Sequence, residues 1–179
     1  MGGEILRALI ACLLLLPLTA AAQSGEDGEE DEPKTLVELD LKLPALPKDA
    51  NLLQFEPSAA SANRFYVDGP SILVGADGIV RYTLVIKTPS GASNVSYEGM
   101  RCLTKEQKNY AFGRSDGTWS NARTSEWRRI VYKDLNRHHA VLYTDYFCAG
   151  KFPIKSAADA LYRFKHGVPY SGNPRFDVR

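Results

Sequence analysis

Glu98, Arg128, His138 and His139 are the side chains from which this sequence could assemble an acid–base site. A carboxylate and an imidazole can take and return a proton across a reacting bond, and a guanidinium can hold the negative charge that develops there. Spacing does not by itself gather them. A domain of this size offers such a trio through composition alone, so geometry has to decide. The adjacent histidines would point to opposite faces of a strand, or stand about 100° apart on a helix, and two rings so placed rarely grip one ion. With His166 far along the chain, no zinc or other metal site is expected, and the pair reads as part of a solvated loop.

Binding chemistry has a second possible seat. Between Arg123 and His139, the cations Arg128, Arg129, Lys133 and Arg137 interleave with Trp127 and Tyr132. That composition can hold a phosphate-bearing polymer, or it can be the charged outer face of a helix. Glu126 and Asp134 dilute the positive charge, and nucleic acid is not the expected partner. Trp119 and Trp127 could stack on a ligand but are expected in the core. The chain has no glycine-rich phosphate loop ending in Lys-Ser or Lys-Thr, no dinucleotide fingerprint, no His-Glu-x-x-His, no Gly-x-Ser-x-Gly and no Ser-x-x-Lys. No cofactor is expected.

The elements that must carry these residues read as an α+β fold, mainly an antiparallel meander of hairpins with a C-terminal helix. Val37, Leu39, Leu41 and Leu43 alternate with charged residues, the period of a strand with one buried face, until Pro44 and Pro47 end it. Residues 51–56, 64–68 and 71–74 are short aliphatic or aromatic runs bounded by Pro or Gly. Ala76-Asp77-Gly78 then marks a hairpin into the run 79–87. In that run Val80, Tyr82, Leu84 and Ile86 share one face, and Arg81, Thr83 and Lys87 share the other with Ile79 and Val85. Residues 94–102 form the next strand, with Val95 and Tyr97 on one side and Met100 and Cys102 on the other.

A second hairpin joins 108–112 to 118–120 through Ser115-Asp116-Gly117. Trp127, Ile130 and Val131 recur at helical spacing and predict a helical turn, whereas the aperiodic apolar run 140–147 predicts a strand. Ser156 with Asp159 caps a helix whose apolar stripe is Ala157, Ala160, Leu161 and Phe164, and Gly167 and Pro169 stop it.

Residues 1–22 have the layout of a cleavable secretory signal: Arg7, an apolar run over 8–18, and the small residues Ala20, Ala21 and Ala22. As a helix that run would reach roughly 16 Å, about half of a bilayer's hydrocarbon, so no membrane span is expected after cleavage. Residues 23–34 crowd six carboxylates into a polar tract without an apolar side chain, which reads as a disordered linker. Residues 35–179 are then one globular domain, with 20 Lys plus Arg against 14 Asp plus Glu. Export would remove Cys12 and carry Cys102 and Cys148 into an oxidising compartment. There a disulfide between them is expected, against the alternative of two separately buried thiols.

A longer pattern runs through the middle of the chain. Leu43-Pro44-Ala45, Asn51-Leu52-Leu53, Phe65-Tyr66-Val67-Asp68, Asp77-Gly78-Ile79-Val80-Arg81-Tyr82-Thr83-Leu84 and Val95-Ser96-Tyr97-Glu98-Gly99-Met100-Arg101-Cys102 follow in order. Tyr110-Ala111-Phe112-Gly113, Trp119, Trp127 and Cys148 come after them. Together these resemble the cryptic neisserial protein family, exported proteins of Gram-negative bacteria, over about residues 43–148. The resemblance implies a compartment, the periplasm, and a fold, and it carries no catalytic residue with it.

The expectation is a non-enzymatic domain that binds an envelope protein or polymer. The alternative is a small periplasmic hydrolase with Glu98 and His138 or His139 as acid and base. One distance separates them, since a hydrolase of this kind needs Glu98 within a side chain's reach of a histidine, beside a cleft.

Overall fold

The computed structural model describes residues 37–58, 60–132 and 137–167. The expected signal (1–22) and linker (23–34), Lys133 and the tail from residue 168 lie outside them. The described residues all belong to one compact unit, residues 36–179. Among them no helix is long and apolar enough to cross a membrane.

Alternation in the central sequence builds an antiparallel sheet, which has seven strands among the described residues. β1 (Leu52–Phe55), β2 (Arg64–Val74), β3 (Ile79–Lys87), β4 (Ser93–Arg101), β5 (Glu106–Gly113) and β6 (Trp119–Asn121) pair in chain order. The short β7 (Arg128–Arg129) pairs with β5 along residues that β6 does not reach. The two runs expected at 64–68 and 71–74 are one strand, β2, with an irregularity between Asp68 and Leu73. After the sheet come α1 (Arg137–Val141), a π-helical segment (Leu142–Phe147), the paired β8 (Cys148–Ala149) and β9 (Phe152–Pro153), and α2 (Ala157–His166).

The front of the sheet carries the main core. Val67, Val80, Tyr82, Leu84 and Met100 pack there against Ala140, Leu142, Phe147, Ile154 and Ala160 from the C-terminal elements. Aromatic rings lock the layers: Tyr82 meets Phe147 at 4.6 Å between centroids, and Tyr146 stacks on Phe164 at 4.1 Å. α2 is capped as its sequence indicates, with the Ser156 hydroxyl accepting from the Asp159 amide at 3.3 Å and Gly167 in the left-handed conformation. Its stripe differs, because Leu161 is exposed while Arg163 is buried and donates to the Tyr146 carbonyl at 3.0 Å. The carbonyls at the end of the π segment need donors, and a guanidinium supplies them where a leucine could not.

The back of the sheet is smaller and more polar. Tyr97, Tyr110 and Ala111 cluster with Leu43 and Trp119, beside a buried Arg81–Asp77 ion pair at 2.6 Å. Gly99 permits the closest contact there, since a Cβ at that position would stand 2.6 Å from the Tyr110 hydroxyl.

Three sequence expectations give way to tertiary demands. Residues 37–43 form no strand. Leu39 and Leu41 face outward and Leu43 packs on the back cluster, while Glu38 turns in and accepts from Lys108 at 2.7 Å and Tyr110 at 3.0 Å. Polar groups on the sheet's back draw Glu38 inward. The helical turn expected around 127–131 is instead β7 and its flanks, because the open edge of β5 needs backbone partners and Ile130 closes it by donating to the Lys105 carbonyl at 2.9 Å. The strand expected at 140–147 is helical. Its rings spread in several directions at once: Phe147 onto Tyr82, Tyr146 onto Phe164, and the Tyr143 hydroxyl onto the Cys102 carbonyl at 3.2 Å. A widened helical turn allows that spread and two alternating faces would not.

Cys102, just past β4, is bonded to Cys148 at the end of the π segment, with Cα atoms 5.7 Å apart and a sequence separation of 46. A loop of that length should stabilise the chain by about 4 kcal/mol in the chain-entropy account. Urea unfolding of the Cys102→Ala/Cys148→Ala protein is expected to show a loss of about that size. Reductant should lower the wild type comparably and leave the variant unchanged.

Candidate functional site

Glu98 stands on the front of β4, opposite Tyr82 of β3. On the other side β5 takes an extra residue, Tyr110, between the pairs Tyr97–Ala111 and Glu98–Asn109. That bulge sends both Tyr110 and Ala111 to the back cluster and leaves Asn109 beside Glu98. α1 brings His138 and His139 over the same surface. The solvated loop expected for them is not found: they are 8% and 7% exposed, because the packing of Ala140, Leu142 and Phe147 draws the helix down onto the sheet.

The Glu98 carboxylate is 3% exposed and has three side-chain partners. His139 Nε2 lies 2.8 Å from Oε2, the Tyr82 hydroxyl donates to Oε2 at 3.0 Å, and the Ser96 hydroxyl donates to Oε1 at 2.6 Å. Burial works to raise the Glu98 pKa. The attraction and hydrogen bond of His139, the Ser96 hydroxyl and the nearby His138 outweigh it and hold the carboxyl below its ordinary value. Burial and the Glu98 charge push the Tyr82 phenol well up, so it stays a donor.

An ionised carboxylate can only accept, so His139 donates through Nε2. Its Nδ1 has no hydrogen-bond partner among the described residues. The neighbouring ring differs in kind. His138 stacks on Phe65 at 5.4 Å and meets His139 at 4.1 Å. Burial first, and His139 second, lower its pKa to about 4 against the pull of Glu98. Successive positions on one helix thus give one histidine a carboxylate and the other an aromatic wall.

Two clefts meet at this cluster. One, of about 370 Å³, is bounded by Ser96, Glu98, Asn109, Phe112 and both histidines; the other, of about 250 Å³, by Gln107, Asn109, Arg128, Arg129 and His139. The structure therefore brings together Glu98, His138 and His139, and sets Arg128 and Arg129 on the second cleft. Arg137 lies exposed at the start of α1, and Lys133 is outside the described residues. Among the described residues no group of three or more His, Cys, Asp or Glu could hold a metal ion. Tyr82, Ser96, Gln107 and Asn109 were missed by motif reasoning. The available signal was the strand alternation itself, which puts Ser96 and Glu98 on one face of β4.

A consecutive antiparallel sheet, closed on one face by a disulfide-tethered helical arm whose His139 meets the sheet's buried Glu98, defines the class. The profile of the CNP1-like family matches residues 31–165, and the chain belongs to that family. No curated protein and no solved structure matches it.

His138 also makes acid stability testable. Its folded pKa lies near 4 and its ordinary value is 6.5. Between those values the unfolded chain binds a proton that the folded chain refuses, so stability falls as pH falls through this window. The contribution is on the order of 3 kcal/mol between pH 6.5 and 4. His138→Phe keeps a ring against Phe65 and does not titrate, so urea unfolding at several pH values should show a flatter dependence for it than for the wild type.

Proposed function

We propose that this chain is an exported, periplasmic hydrolase in which Glu98 orients His139 as the general base. The observation that carries this reading is the 2.8 Å contact between His139 Nε2 and the buried Glu98 carboxylate at the junction of two clefts. A carboxylate that fixes one ring nitrogen as a donor leaves the other as the basic lone pair, the division of roles seen wherever a carboxylate backs a catalytic imidazole. His139 Nδ1 takes a proton from water as the water attacks, Glu98 stabilises the imidazolium, and the proton passes on to the leaving group. Tyr82 and Ser96 hold the carboxylate in place and are positioning residues. The layout of residues 1–22 and the Cys102–Cys148 bond support export, and the resemblance to Gram-negative exported proteins supports the periplasm.

The test is turnover of p-nitrophenyl carboxylate esters, phosphate esters and glycosides by the mature protein. His139→Gln is expected to lower kcat about 100- to 10,000-fold, the usual share of general-base catalysis. Glu98→Gln should also lower kcat, because an amide no longer selects the required tautomer. Turnover that survives both substitutions, or no turnover of any of these compounds, overturns the reading. Ligand binding without turnover would return the chain to the class of non-enzymatic envelope-binding domains.

A further inference from the structure

The smaller cleft differs from the larger one in what it offers a ligand. β7 pairs Arg128 with Gln107 and Arg129 with Glu106, and both arginines line this cleft. Neither arginine has an ion-pair partner among the described residues, whereas Arg81, Arg101 and Lys108 are each paired with a carboxylate. The floor carries amides. Gln107, 9% exposed, has its Oε1 without a hydrogen-bond partner among the described residues, and so does Asn109 at Oδ1. Buried acceptors in that condition are costly unless a ligand donates to them.

Charge narrows the ligand further. Glu98 is the one carboxylate among the described residues that line either cleft. Glycoside hydrolysis ordinarily works with two carboxyl groups flanking the scissile bond, and among the described residues no second one lines these clefts. Paired guanidiniums instead match the planar, multi-oxygen face of a phosphoryl group. Acceptor oxygens on the floor match hydroxyl donors on either side of it.

Resting on the assignment of Glu98 and His139 as the acid–base pair, we propose that the substrate is a phosphodiester with hydroxyl-bearing flanks. Arg128 and Arg129 hold its phosphoryl oxygens, and Gln107 and Asn109 accept from its hydroxyls. Water attacks phosphorus and gives its proton to His139 Nδ1, the bond from phosphorus to the leaving oxygen breaks, and that oxygen takes the proton from His139. The products are a phosphomonoester and an alcohol, with no redox step.

The experiment uses glycerophosphoglycerol, which has the flanking hydroxyls, bis(p-nitrophenyl) phosphate, which lacks them, and p-nitrophenyl acetate, which has no phosphorus. Both arginines are exposed, so Arg128→Ala/Arg129→Ala should fold, which circular dichroism checks. That variant is expected to raise KM for both diesters about 10- to 100-fold. Gln107→Ala should raise KM for glycerophosphoglycerol more than for bis(p-nitrophenyl) phosphate, and His139→Gln should instead lower kcat. If the wild type hydrolyses p-nitrophenyl acetate through His139 but neither binds nor cleaves either diester, the substrate class is overturned and the acid–base pair stands. If both diesters bind through the arginines and His139→Gln leaves their turnover intact, the acid–base pair fails and the anion site stands. Equal diester KM values in wild type and the arginine variant overturn the proposal.

Discussion

The covalent tie between Cys102 and Cys148 governs where Glu98 and His139 can meet. Cys102 closes β4, the strand that bears Glu98, and Cys148 closes the helical arm that bears His139. α1 spans five residues, too few to persist as a helix on its own propensity. Its geometry is imposed from outside, by the disulfide at the far end of the arm, by Phe147 against Tyr82, and by the Tyr143 hydroxyl, which reaches both the Cys102 and the Gly150 carbonyls. The bridge shortens the search of the unfolded chain and the rings complete the docking. The 2.8 Å contact between His139 and Glu98 is a consequence of that docking rather than its cause.

A buried carboxylate would be an odd choice for mere adhesion between layers. Desolvating a charge costs several kcal/mol, and a hydrophobic contact of the same volume often stabilises a fold as well or better. Here three donors offset the cost: an imidazole, a phenol and a hydroxyl. The back of the sheet offers an instructive contrast. Asp77 and Arg81 satisfy each other within one hairpin, at 2.6 Å, and the Leu39 amide completes the carboxylate. That pair sits beside the Tyr97–Tyr110 cluster, on the face away from Glu98. The Glu98 cluster leaves one imidazole nitrogen without a partner among the described residues, and it does so where two clefts meet.

Much of the sheet was legible in the residues, because β3 and β4 alternate cleanly and the turns after β2, β3 and β5 are marked by Asp-Gly or Ser-Gly. The α2 caps were legible for the same reason, as local chemistry. Residues 37–43 were not, since their period of two is real but the choice of face depends on Lys108 and Tyr110, far along the chain. Nor was the 140–147 segment, where aromatic residues satisfy three separate contacts that no single period describes. The candidate pair was named from composition, yet its members are 41 residues apart and only the arm's fold makes them neighbours. Gln107 and Asn109 escaped notice because an amide on a strand has no motif, and only the company it keeps gives it meaning.

Three departures from regular structure converge on the same corner of the sheet. β5 bulges at Tyr110, Lys105 takes a left-handed conformation between β4 and β5, and the arm widens into a π turn. Each carries a cost that an ideal sheet and helix would avoid, and irregularities of this kind are found at working sites more often than elsewhere. Each also has a local task. The bulge keeps Asn109 on the front beside Glu98; the Lys105 turn presents the carbonyl that seats Ile130 and so fixes β7 with its arginines; the π turn lets Phe147 bury while Tyr143 pins the disulfide strand. Together they bring His139, which touches Glu98, to the wall of the cleft that Arg128 and Arg129 line. That dependence of the polar corner on costly backbone is the strongest physical reason to read it as the working face of the molecule.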